Sequence, residues 1–408
     1  MSDEAAGGTS GAVTVVGIGA DGWAGLGEPA RDLITRAEVV IGSERQLRLV
    51  PVPAVRVPLP RPLLPGLTDV LAAHARHTVV VLASGDPMLS GIGSTLVRLL
   101  GDEQVRVHPQ VSSVSLALAR MGWPAESVDV VSLVGRDPSG VLRVIGPGRR
   151  VVALSADGDT PRRLAQLLMD AGHPDAVMTV LGDLGAENES RTSATADDWA
   201  SRDSPRLNIV CVACAARPTG ATLSTTPGLP DDAYEHDGQL TKRDVRASAL
   251  SRLAPHPGQL LWDVGAGAGS IAIEWMRTDP RSRAVAVEAD PERADRIEHN
   301  ATTLGVPGLE VVCGTAPEAL SGLPSPDAIL VGGGATADGM LERCWDALRP
   351  SGRLVAHGVT LETEHLLAIW QRRHGGDLVR IGVERAEPLG SFTSWRPSRP
   401  IVSWSVIR

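Results

Sequence analysis

Asp263-Val264-Gly265-Ala266-Gly267-Ala268-Gly269-Ser270 closes an apolar run, Leu260 to Val264, and opens a stretch with helical spacing, Ser270 to Arg277. A strand that ends in glycines and passes straight into a helix leaves unpaired N–H groups at the helix start, and the missing Cβ atoms let a ligand approach the backbone. That arrangement suits a nucleotide-like ligand. Outward from it, β-branched runs at Leu260 to Val264, Ala284 to Glu288, Leu309 to Cys313, Ala328 to Val331 and Arg353 to Ala356 alternate with helical segments at Ser270 to Arg277, Pro291 to Leu304 and Ala337 to Leu348. Pro291 falls at a first helical position, where a missing N–H is harmless. Strand and helix alternating at this spacing predict a parallel sheet covered on both faces. Two later runs, Val379 to Glu384 and Ile401 to Val406, fit extra strands at one edge.

Glu288 ends the second run 23 residues after Gly265, where a carboxylate can accept hydrogen bonds from both hydroxyls of a ribose. The glycines read Gly-x-Gly-x-Gly with Asp263 two residues ahead, one residue tighter than the Gly-x-Gly-x-x-Gly of dinucleotide sites. The pattern resembles the class I S-adenosylmethionine-dependent methyltransferases; another nucleotide-binding domain and a plain structural turn are the competing readings. The resemblance implies cofactor contacts at Asp263, Gly265, Ala266, Gly267, Ala268, Gly269 and Glu288. It also implies adenine near Ala316, in Gly314-Thr315-Ala316-Pro317-Glu318, and the reacting methyl near Gly332, in Val331-Gly332-Gly333-Gly334. Both segments follow strands on the ligand side of an open parallel sheet.

The first half alternates less regularly. Strands are expected at Val13 to Val16, Val39 to Ile41, Thr78 to Ala83, Val105 to Val107, Val151 to Ser155, Val177 to Leu181 and Leu207 to Val212, with the turn-rich stretch Gly135 to Gly148 joining two α/β lobes. Gly17-Ile18-Gly19-Ala20-Asp21-Gly22 has the dinucleotide spacing, but Trp23 to Glu28 is no helix start and the next strand runs into Gly42-Ser43-Glu44 without an acid at the usual distance. A lone match of this kind is weak. Leu82-Ala83-Ser84-Gly85-Asp86-Pro87, Ser90-Gly91-Ile92-Gly93 and His108-Pro109-Gln110-Val111-Ser112-Ser113-Val114-Ser115 resemble the tetrapyrrole methylases of class III architecture. An ordinary β-turn is the plain alternative for Ser-Gly-Asp-Pro. The resemblance implies S-adenosylmethionine folded in a cleft between two lobes, against Ser84, Gly85, Asp86, Ser112 and Ser113.

Across Val13 to Arg408 the chain is similar to the fused precorrin-6Y C5,15-methyltransferases (decarboxylating) of cobalamin synthesis. Val15-Val16-Gly17-Ile18-Gly19-Ala20-Asp21-Gly22 and Ile41-Gly42-Ser43-Glu44-Arg45-Gln46-Leu47 carry the likeness in the first half. In the second half it is carried by His236-Asp237-Gly238-Gln239-Leu240-Thr241-Lys242-Arg243-Asp244-Val245-Arg246 and Leu261-Trp262-Asp263-Val264-Gly265-Ala266-Gly267. The implied organisation is a two-lobed tetrapyrrole methylase domain at 12–214 for C5 methylation, a Pro-rich linker at 215–232, and a class I Rossmann-like methyltransferase domain at 233–408. The second domain would carry C15 methylation and decarboxylation of the C12 acetate. One departure falls in Val131-Ser132-Leu133-Val134-Gly135-Arg136, where the family has histidine in place of Val134; Arg136 remains to hold a carboxylate.

The implied substrate is an acidic tetrapyrrole, the cofactor S-adenosyl-L-methionine, with no metal and a homo-oligomeric assembly. A basic clamp is expected from Lys242, Arg243 and Arg246, with Lys242 and Arg246 one helical turn apart. Thr241 is expected to cap that helix and, by resemblance, to touch the cofactor. Loss of carbon dioxide requires a proton returned to the new methyl carbon, and Asp244, His357 and Glu362 are the candidates. The alternatives are an equivalent enzyme for cobalt-containing intermediates, an NAD-dependent oxidoreductase, and an N-terminal half kept for substrate binding or assembly.

Composition bounds these readings. At 408 residues two or three domains are expected. Thirty-nine basic against 48 acidic residues give a formal charge of −9, which argues against a nucleic-acid partner. No run approaches the ~18 apolar residues of a membrane-spanning helix, so the chain is read as cytoplasmic, with a short frayed start at Met1 to Gly11. Cys211-x-x-Cys214 ends an apolar run with no second pair, and reads as buried strand rather than metal site. The only lysine, Lys242, sits just ahead of the glycine loop.

Overall fold

A computed structural model describes residues 12–199, 201–215 and 223–408. The expected frayed start and residues 216–222 of the Pro-rich segment lie outside the described residues. The chain divides into two compact units, one running to Arg136 and resuming at Pro147, the other made of Asp137–Gly146 and the C-terminal half.

In the N-terminal unit, β1 (Val13–Ile18), β2 (Val39–Gly42), β3 (Val55–Pro58), β4 (Val79–Ser84) and β5 (Val105–His108) form a parallel sheet in the order β3-β2-β4-β1-β5. β6 (Asp129–Ser132), β7 (Arg150–Leu154), β8 (Val177–Gly182), β9 (Ser190–Thr195) and β10 (Asn208–Ala213) form a second, mostly antiparallel sheet in the order β6-β7-β10-β8-β9. Because β6 already belongs to the second sheet, the passage between lobes lies at 109–128, ahead of the turn-rich stretch Gly135 to Gly148. That stretch instead contains a 3₁₀ turn, Pro138–Arg143, between β6 and β7. Three strands escaped the sequence reading, β3, β6 and β9: β3 and β9 are mostly exposed and β6 has one buried residue in four, so none forms a buried apolar run.

The C-terminal unit continues with β11 (Leu260–Val264), β12 (Arg283–Glu288), β13 (Glu310–Cys313), β14 (Ala328–Val331), β15 (Arg353–Gly358), β16 (Asp377–Ile381), β17 (Glu384–Leu389), β18 (Phe392–Pro397) and β19 (Ile401–Ile407). Among the described residues the main sheet is β13-β12-β11-β14-β15-β19-β16, parallel up to β15, with β19 antiparallel to both of its neighbours. β11 is buried along its whole length, as a strand covered on both faces must be. Asp290 accepts from the backbone N–H groups of Glu292 and Arg293 and so starts the Pro291–Thr303 helix.

Two boundaries need correction. The run Val379 to Glu384 straddles the end of β16 and the start of a separate β17–β18 hairpin, whose residues are nearly all exposed. The helix expected from Ala337 starts at Met340, because Gly339 is left-handed and residues 334–340 form turns. No helix among the described residues is long and apolar enough to cross a membrane. Cys211 lies buried in β10, where burial lifts its thiol to about 12.

Candidate functional site

In the C-terminal unit, β11 and β14 are neighbours from which strand order runs outward in opposite directions, so the space beyond their carboxyl ends is the switch point where open α/β sheets bind ligands. Gly265, Gly267 and Gly269 all take left-handed φ values, +71, +61 and +76°. A Cβ on Gly265 would lie 3.1 Å from the Gly333 nitrogen, one on Gly267 2.6 Å from the Gln239 carbonyl oxygen, and one on Gly269 2.7 Å from the Ile297 side chain. The glycine loops after β11 and β14 therefore touch at the switch point. The N–H groups of Gly265 and Ala266 donate to the Val287 carbonyl. Gly267 N–H donates to Glu288 Oε2 at 2.8 Å and Asp290 N–H to Glu288 Oε1 at 3.1 Å. Each oxygen of the buried Glu288 carboxylate keeps a lone pair for a further donor. Gly314 N–H donates to the Glu288 carbonyl, which starts the Ala316 segment beside the same acid.

Asp263 is fully buried, and its Oδ2 accepts from Ala272 N–H at 3.0 Å, which ties β11 to the Ser270–Thr278 helix. Burial raises its carboxyl to about 7; the Ala272 hydrogen bond opposes the rise and the Glu288 charge adds to it. A carboxyl whose folded pKa lies above the unfolded value of ~3.9 binds more protons when folded, so its contribution favours folding at low pH and is lost as pH rises through 7. Asp263→Asn is expected to remove that slope. Denaturation midpoints should show the variant gaining on the wild type between about pH 4 and about pH 7; parallel pH profiles would refute the assignment.

Residues 236–242 lie across the glycine loop, as the Gln239 contact with Gly267 requires. Asp237 Oδ2 accepts from Arg293 Nε at 2.8 Å, and that hydrogen bond holds its carboxyl down at about 2. Buried Asn300 donates to the carbonyls of Ala268 and Glu235 and accepts from Glu235 N–H, so one amide pins both loop and lead-in. Nothing in the sequence pattern flagged Asn300.

Several expectations are corrected here. Arg246 is no clamp: its side chain is 0% exposed and donates to Glu274 at 2.6 Å, Asp231 at 3.2 Å, and the carbonyls of Thr241 and Leu229. Glu274, equally buried, also accepts from Gly228 N–H, Leu229 N–H and the Tyr234 hydroxyl. The residues expected to serve as linker are thus in part built into the fold, with Leu229 in the core. Thr241 does not cap; Lys242 is the N-cap and its side chain makes no cap bond. Lys242 and Arg243 stay partly or fully exposed beside Asp231.

Of the proton-donor candidates, His357 is buried on β15 and burial holds its imidazole down to about 4, so it is neutral at pH 7. Glu362 is held below the usual carboxylate range by its own backbone amide and Thr360, so it is an ionised acceptor rather than an acid. Asp244 is exposed and pairs with Arg385 of β17 at 3.2 Å.

In the N-terminal unit a cavity of about 630 Å³ opens at the carboxyl ends of β1 and β4, lined by Gly19, Ser84 and Gly85 from the first lobe, by Ser113 from the passage between lobes, and by Ser155 and Asn208 from the second lobe. A Cβ on Gly17 would lie 2.1 Å from the Gly85 carbonyl oxygen, so the ends of β1 and β4 meet there. Gly19 and Gly25 are covered by the Asp21 carboxylate and the helix after Gly22 is four residues long, which leaves no phosphate cradle. Ser112 caps the Ser113–Met121 helix through Ser115 N–H, and Asp86 accepts from Met88 N–H; neither lines the cavity. Val134 and Gly135 line it, whereas Arg136 is exposed outside it.

Residues 12–200 match the tetrapyrrole (corrin/porphyrin) methylases and residues 232–408 the precorrin methyltransferase domain. Over 395 residues the chain is 45% identical to the precorrin-6Y C(5,15)-methyltransferase (decarboxylating) of Sinorhizobium sp, covering 96% of this chain and 95% of the relative. The chain belongs to the precorrin-6Y C(5,15)-methyltransferases (decarboxylating). The Mycobacterium tuberculosis member is 45% identical over 401 residues, 97% of this chain and all of that protein. The C-terminal part alone is 31% identical over 167 residues to the cobalt-precorrin-6B C(15)-methyltransferase (decarboxylating) of Salmonella typhimurium, 40% of this chain and 85% of that protein. This precorrin-6Y methyltransferase family member accordingly joins a class III tetrapyrrole methylase unit to a Rossmann-like methyltransferase unit.

Proposed function

We propose that the chain methylates precorrin-6Y at C5 and C15 and removes carbon dioxide from its C12 acetate, giving precorrin-8X, with S-adenosyl-L-methionine as methyl source. The observation that carries this reading is that each unit builds its own glycine-lined site at the carboxyl ends of its own parallel strands. The C5 step belongs to the N-terminal cavity; the C15 step and decarboxylation belong to the C-terminal switch point. S-adenosylmethionine, when bound, supplies an electrophilic methyl group.

The chain's part is positioning, since transfer to an electron-rich carbon needs alignment more than acid–base help. Glu288 would hold ribose hydroxyls, and the absent Cβ atoms of Gly265 and Gly267 let the Gly333 and Gln239 backbone close in around the loop that would hold the cofactor. Exposed Lys242 and Arg243 would meet the acidic rim of the macrocycle. In decarboxylation the C–CO₂ bond breaks, its electron pair passes into the conjugated ring, and a proton from solvent then completes the methyl group; Asp244, exposed at the start of the Arg243–Leu253 helix, is the remaining candidate to relay it. Incubation of the full chain with precorrin-6Y and S-adenosylmethionine is expected to give a product heavier by two methyl groups and lighter by one carbon dioxide in mass spectrometry. A product with no methyl gained would reject the reading.

A further inference from the structure

Arg45 is the one ionisable residue lining the N-terminal cavity among the described residues. Its neighbours are fixed: Gln46 Oε1 accepts from the Ser43 backbone N–H and hydroxyl, both at 2.8 Å, and Gln46 Nε2 donates to Ser84 Oγ at 3.1 Å. This capping box starts the Glu44–Leu49 helix and ties it to the end of β4. Arg45 is placed by that turn but left without an ion pair among the described residues; its one hydrogen bond reaches Ser84 Oγ at 3.5 Å. Burial pulls its guanidinium below the ordinary value, and Asp183 is the opposing charge.

A guanidinium facing uncharged walls is unfavourable until an anion arrives, and its planar fork matches a carboxylate with two parallel hydrogen bonds. Around it Leu63, Leu89, Val111 and Val134 line the cavity while remaining exposed, so the mouth is broad and apolar. A flat apolar ring with carboxylates on its edge fits both features.

We propose that Arg45 anchors a peripheral carboxylate of the tetrapyrrole in the N-terminal cavity. The proposal rests on the C5-methylation reading above. The cofactor also carries a carboxylate, and the experiment separates the two. In the full-length protein, Arg45→Gln is expected to raise KM for precorrin in C5 methylation about 10- to 100-fold, the worth of a charge-assisted hydrogen bond. Arg45→Lys should recover part of the loss, and the affinity for S-adenosylhomocysteine should stay as in the wild type. A loss of S-adenosylhomocysteine affinity with an unmoved KM would overturn the substrate assignment and give the carboxylate to the cofactor. No change in either would overturn the anchor altogether.

Fluorescence titration with uroporphyrin III, an octacarboxylate that is not turned over, provides a second arm. If the wild type failed to methylate C5 yet bound this probe in an Arg45-dependent way, the anchor would stand and the methylation reading would fall.

Discussion

Full-length protein titrated with S-adenosylhomocysteine is expected to show two binding sites, and Gly267→Val protein one. Gly267 sits at φ +61°, where a β-branched side chain is strained by about 1–2 kcal/mol. A Cβ there would also press to 2.6 Å from the Gln239 carbonyl oxygen, a backbone atom in a segment pinned by Asn300 and Arg293. The lead-in must lift or the loop must turn, and either change separates Gly267 N–H from Glu288. Together these effects should weaken the C-terminal site at least about 100-fold. Circular dichroism of the variant would separate this loss from unfolding. Two sites of unchanged affinity in a folded variant would mean that the loop does not hold the cofactor.

Arg246→Met is expected to destabilise the C-terminal unit by about 3–5 kcal/mol, the range for breaking one partner of a buried ion pair. Glu274 would remain 2% exposed and charged, with only two backbone N–H groups and the Tyr234 hydroxyl to satisfy it. The Thr241 and Leu229 carbonyls would lose their donor as well. Removing both charges with Arg246→Met and Glu274→Leu should not restore stability, because the Gly228 and Leu229 N–H groups would then be orphaned. Urea unfolding followed by tryptophan fluorescence reads the effect. A cost below about 1 kcal/mol would return Arg246 to the substrate clamp.

The same arginine marks where sequence reading works and where it stops. Parallel strands buried on both faces, such as Leu260–Val264 and Ala328–Val331, are continuous apolar runs and were legible to the residue. The glycine loop and Glu288 were legible because left-handed backbone and a strand-end acid each demand particular residue types. The β17–β18 hairpin, exposed on both faces with Phe392 at 78%, offers no alternation to read. Lys242, Arg243 and Arg246 looked like one basic group because charge was counted without a helix start. Once the helix begins at Arg243, Arg246 falls with Ala249, Leu250 and Leu253 on the buried face, an i, i+3, i+4, i+7 set. Arg45 stood in a quoted motif without a role, since only the folded cavity reveals that no other charged side chain lines it.

The network under the lead-in also sets how far upstream of the second unit's main segment a cut must fall. Glu274 draws backbone donors from Gly228 and Leu229, and Arg277 donates to the carbonyls of Leu223, Ser224 and Leu304. A fragment begun at Asp232, where the domain match starts, would carry a buried carboxylate stripped of two donors and a buried guanidinium stripped of two acceptors. One begun upstream of Leu223 keeps both. The residues that read as a spacer between two enzymes are, from Leu223 onward, the first course of the second one's wall.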